Sequence, residues 1–61
     1  MKFECEINMD NDAFAQEPHL ELCRALREIA HNVRDNDAVV RSATVRDING
    51  GKVGTWKIIG E

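Results

Sequence analysis

The residues with the clearest chemical promise lie between positions 47 and 56, where DINGGKVGTW sets Gly50, Gly51 and Lys52 ahead of Gly54 and Thr55. Glycines beside a lysine and a threonine can cradle a phosphate, because backbone N–H groups and an ammonium converge on the anion. The spacing excludes that chemistry. A phosphate loop needs its lysine followed directly by Ser or Thr at the mouth of a helix, whereas here Val53 follows Lys52 between two extended runs. Asn49-Gly50 reads instead as a two-residue type I′ hairpin turn.

His19 and Cys23 stand four apart, and Cys5 lies on an earlier extended segment. Histidine with cysteine could ligate zinc or supply a thiolate, but a closed zinc site wants four ligands and no CxxC-type spacing is present. Both cysteines are read as small hydrophobes facing the core, with a Cys5–Cys23 disulfide as the alternative in an oxidising compartment. Asp10-Asn11-Asp12 starts like a calcium loop but has Ala15 at the sixth position, where such a loop needs glycine, so it reads as a turn. No serine sits in a nucleophile-elbow setting, and so short a chain has little room for a pocket that buries a substrate. The expectation is a non-enzymatic protein with no catalytic residues, cofactor or metal.

Charge narrows the partners. The net charge is −3, with six acids against one base in residues 1–23 and five arginines against three acids in residues 24–46. That asymmetry partly complements a helix dipole and does not amount to a basic surface for nucleic acid. Nucleic acid is therefore an unlikely partner, and Arg24, Arg27, Arg34, Arg41 and Arg46 would have to carry any such binding. There is no apolar run long enough to span a membrane, and acids appear where a signal peptide would be apolar, so a cytoplasmic protein (host cell cytosol) is expected.

The elements that would position these residues follow from periodicity. KFECEINM, residues 2–9, alternates without error, with Phe3, Cys5, Ile7 and Met9 on one side and Lys2, Glu4, Glu6 and Asn8 on the other. From Pro18 the period becomes 3.6, with Leu22, Leu26, Ile29 and Val33 on one stripe widened by Cys23 and Ala30, predicting an amphipathic helix over residues 18–34. Phe14 is expected to fold back onto the core. Residues 43–48 form a second extended run, and a two-residue turn would pair Ala43 with Trp56 and Val45 with Gly54. Ala43, Val45, Trp56 and Ile58 then share the inner face.

These elements make one domain over residues 1–61, an α+β unit in the order β-α-β-β. A right-handed crossover places the third strand between the first two, giving a three-stranded antiparallel sheet of order 1-3-2 with the helix on one face. The opposite face offers Glu4, Glu6, Arg46, Val53, Thr55 and Lys57 as partner-binding residues.

The segments MDNDAF (residues 9–14), ELCRALREIA (21–30) and RDINGGKVGTW (46–56) resemble a group of very short proteins encoded by bacteriophages and prophages, which share DNxAF, ELxxxLRxIA and DxNGxxVGxW patterns. The resemblance covers most of the chain and carries over no catalytic residue. It implies a phage-type accessory protein that binds a host or phage protein, with inhibition of a host defence complex, as by anti-CRISPR proteins, as one form. The alternatives are a nucleic-acid accessory factor and a homodimeric structural module. Residues 35–42, longer and more charged than the group's usual link, are where partner specificity is expected to reside.

Overall fold

The computed structural model describes residues 1–36 and 41–60. Strand β1 (Lys2–Ile7) is followed by a short 3-10 turn (Asp12–Phe14), helix α1 (Pro18–Asn36), strand β2 (Ser42–Arg46) and strand β3 (Lys52–Ile59). The sheet has the order β1-β3-β2, with β3 antiparallel to both neighbours. This is the β-α-β-β arrangement that the periodicities predict. Of the 35–42 connection, residues 37–40 lie outside the described residues.

Each boundary has a local cause. Pro18 opens α1, where its missing N–H leaves no bond unmade. Asn11 caps the 3-10 turn, its side chain accepting from the Ala13 N–H at 3.1 Å, and the turn drives Phe14 into the core. Around it pack Ala25 and Ile29 from α1, Val45 from β2, and Val53 and Trp56 from β3. Trp56 is 1% exposed, and among the described residues its Nε1 has no hydrogen-bond partner. An orphaned donor costs about 1–3 kcal/mol. Burying an indole of roughly 150–250 Å² returns about 4–6 kcal/mol at 25 cal/mol/Å², so the ring goes inside. Phe3 stacks on it with ring centroids 5.9 Å apart.

The hairpin between β2 and β3 differs from the two-residue turn expected at Asn49-Gly50. The Asp47 N–H donates to the Gly51 carbonyl at 2.8 Å and the Gly50 N–H to the Asp47 carbonyl at 3.0 Å, so the loop proper is the three residues Ile48, Asn49 and Gly50. Gly50 takes φ 87°, the left-handed conformation that such loops require at one position. A three-residue loop brings the pairing one residue out of step, as Arg46 opposite Lys52 records, and a bulge restores it at Val45 opposite Gly54. From there the expected register of Ala43 with Trp56 holds. The extra residue is Val53. Strict alternation put it on the outer face, but the bulge breaks alternation and Val53 is buried in the core cluster.

Gly54 is required by contact rather than by conformation. A Cβ built there would overlap the backbone carbonyl of Glu6 on the neighbouring β1. Gly54→Ala should cost about 1–3 kcal/mol by forcing β1 away from β3. Gly50→Ala, with open space around its Cβ, should cost about 1 kcal/mol through its φ alone. Urea unfolding followed by Trp56 fluorescence checks both.

Candidate functional site

A buried carboxylate decides how the helix sits. Glu21 accepts two bonds from its helix neighbour Arg24, at 3.0 and 3.1 Å, and a third from the Ile48 N–H at 2.9 Å. The Arg24 guanidinium also donates to the Arg46 carbonyl at 2.8 Å. Beside them Asp47 organises the loop, accepting from the N–H groups of Asn49 and Gly51 and from the Asn11 amide at 2.7 Å. One flank of α1 is thereby tied to the β2 end and the hairpin.

With 100° per residue, Arg24 lies about 100° round the helix from buried Ala25 on that tied flank. Leu26 lies about 100° the other way, with Ala30 and Cys23 at about 140° and 160°. The buried arc is centred on Ala25 and Ile29, with Leu22 and Val33 at its margin. The stripe read from the sequence was centred nearer Leu26, which is 49% exposed. The helix is rolled toward the hairpin by its polar ties.

Two consequences follow. On the sheet, Phe3 and Cys5 share the inner face with Trp56, yet Phe3 is 50% exposed and Cys5 is exposed as well. On the helix, Leu26 is exposed on the flank away from the Arg24 ties, and Ala30 and Cys23, farther round toward the solvent side, are exposed as well. Both cysteines are free and exposed, which corrects the expectation that they face the core. Partial burial raises the Cys5 thiol pKa above its ordinary value.

The outer face holds Glu4 opposite Lys57, Glu6 opposite Thr55, and Thr44 opposite Thr55, all exposed. Glu4 is paired with Lys2 at 3.1 Å and with Lys57 at 3.7 Å. Such exposed pairs contribute at most about 1 kcal/mol each. Among the described residues Glu6 makes no ion pair. Of the six residues expected to meet a partner, Glu4, Glu6, Arg46, Thr55 and Lys57 are on the surface and Val53 is not. A shallow concavity of about 550 Å³ follows β1, lined by Phe3 and Cys5 from one face and Glu4, Glu6, Thr55 and Lys57 from the other.

Three arginines are engaged at home: Arg24 as above, Arg41 to the Gly60 carbonyl at 2.8 Å, and Arg46 to the Gly50 carbonyl at 3.0 Å. Among the described residues no cluster of three His, Cys, Asp or Glu side chains could hold a metal, and no helix is long and apolar enough to cross a membrane.

Sequence reasoning missed Leu26 and Phe3 as surface residues, and Glu21, Asp47 and Asn11 as a buried network. One signal was present. The apolar arc of the helix spans about 160° from Ala25 to Cys23, wider than the roughly 100° needed to cover one core.

Hydrogen bonding from Arg24 holds the Glu21 carboxyl below its ordinary value, with the Ile48 N–H adding to the effect against burial; the Gly51 N–H does the same for Asp47, helped by Asn49 and Asn11. A depressed folded pKa contributes stability above the ordinary values of 4.5 and 3.8, which is lost as pH falls through the lower folded values. Urea midpoints should therefore drop as pH falls from about 5 toward 2, and Glu21→Gln and Asp47→Asn should each flatten that slope. In native protein both thiols should react with a disulfide reagent while Trp56 emission stays that of a buried indole. The Cys5 rate should level off only at a more alkaline pH than that of an ordinary thiol.

No protein-family model, curated protein or solved structure matches this chain.

Proposed function

We propose that this chain is a non-enzymatic accessory protein that acts by binding another protein, with the contact centred on β1 and the Leu26 flank of α1. One observation carries the reading: Phe3 and Cys5 are exposed on β1, and Leu26 is exposed on the helix flank opposite the polar ties. Grouped apolar side chains in water are unfavourable unless something covers them. Glu4, Glu6, Thr55 and Lys57, on the other face of the same strand pair, would form the rim.

The resemblance to phage and prophage proteins narrows this to a phage-type accessory whose target is a host or phage protein, with inhibition of a host defence complex as its most specific form. Mimicry of DNA charge is a poor mechanism for it. The net charge is only −3, and Glu4 is already neutralised by Lys2 and Lys57. A nucleic-acid role has less support, because Arg24, Arg41 and Arg46 spend their donors on the protein's own backbone.

Leu20 supplies an internal control, since it is 62% exposed on the opposite flank of the helix. Affinity capture from host lysate should recover a specific protein with the wild type and with Leu20→Gln, and at least about tenfold less of it with Leu26→Gln. Recovery that is equal for both variants, or no specific protein at all, would overturn the reading.

A further inference from the structure

Strand β1 is an edge, and among the described residues no backbone hydrogen bond reaches its outer side. The Asn8 N–H donates to the Val53 carbonyl at 2.7 Å. Antiparallel ladders alternate, so Lys2, Glu4 and Glu6 direct their backbone groups to β3, while Phe3, Cys5 and Ile7 direct theirs to the open edge. A chain laid along that edge would lie beside Phe3 and Cys5 on the inner face, with Leu26 on the helix flank away from the polar ties.

We infer that β1 accepts an extended segment of a partner protein as a fourth strand, and that this segment alternates apolar with basic residues. The inference rests on the protein-binding reading above and specifies its mode. Directly opposed residues of paired strands point to the same face. The incoming residues opposite Phe3, Cys5 and Ile7 therefore enter the apolar space beside the helix, and those opposite Glu4 and Glu6 lie on the acidic outer face. Charge selects lysine or arginine there, since among the described residues Glu6 makes no ion pair and Glu4 shares two lysines. The concavity bordered by Phe3, Glu4, Cys5 and Glu6 follows the same strand.

A second copy fits the same edge less well. Antiparallel self-pairing centred on Cys5 opposes Glu4 to Glu6 twice, and centring it on Glu4 opposes two Glu4 carboxylates at the middle of the ladder, though it sets Lys2 against Glu6 twice. Centring on Phe3 sets Lys2 against Glu4 twice and leaves Glu6 with no opposing β1 residue.

Amide hydrogen exchange followed by NMR tests the inference with two six-residue synthetic peptides, one alternating lysine with valine and one alternating glutamate with valine. At millimolar concentration the lysine peptide should slow exchange at Phe3, Cys5 and Ile7 by at least about tenfold, and the glutamate peptide should have no effect. Cys5→Pro removes an outward N–H that β3 does not use, and Leu26→Gln removes the exposed apolar side chain on the helix flank. Each should abolish the protection while Trp56 fluorescence reports an intact core. Equal protection by both peptides, or none from the lysine peptide, overturns the inference. So does a dimer in sedimentation whose Phe3, Cys5 and Ile7 amides are already slow, because a second copy then holds the edge. If lysate capture still depends on Leu26 while the edge amides stay unprotected, the strand mode alone has failed and protein binding stands.

Discussion

The rest of the structure depends on the need to satisfy Glu21. An ionised carboxylate shielded from water without partners is unfavourable, so the helix can turn this position inward only where donors wait for it. They are found in Arg24 on its own surface and in the Ile48 N–H at the start of the hairpin loop. Meeting both fixes the helix about its axis. That orientation leaves Leu26 half exposed, which forfeits about 1 kcal/mol of the 1.5–3 kcal/mol that a fully buried leucine would contribute. The polar requirement is the larger one and prevails.

The hairpin is shaped by a similar competition. Asp47 gathers two backbone N–H groups and the Asn11 amide, and this holds a three-residue loop where Asn49-Gly50 alone would suit a two-residue one. The shorter pairing near the loop is corrected one step later by the bulge at Val53, so the inner faces of β2 and β3 still coincide at Trp56. Asn11 also links the lead-in after β1 to the loop. Glu21, Arg24, Asn11 and Asp47 thus join segments far apart in the chain at the same end of the sheet, while Leu26 on the opposite flank of the helix stays half exposed.

That imbalance is the source of the functional reading. A small domain with its apolar side chains fully covered would give a partner little beyond scattered charges. Here the tied flank leaves the other flank and the first strand as an apolar face beside an open backbone edge. The charges on β1 serve a second purpose, since a negative edge discourages promiscuous pairing with further copies of the same chain.

Much of the fold was legible in the chain itself. Period two in residues 2–9, period 3.6 after Pro18 and two extended runs separated by glycines dictated the elements, and connection rules gave the 1-3-2 order. Burial of Trp56 and Phe14 followed, because few large apolar groups were available to fill one core. Periodicity reports that a face is apolar, not which part of it is covered. The roll of α1, the exposure of Phe3, Cys5 and Leu26, and the inward turn of Val53 were decided by hydrogen bonds between residues more than twenty positions apart and by a bulge that offsets the loop. Those constraints exist only once the segments meet, because the long-range partner of Glu21 and two of the three partners of Asp47 are backbone groups, and backbone groups carry no signature in a sequence.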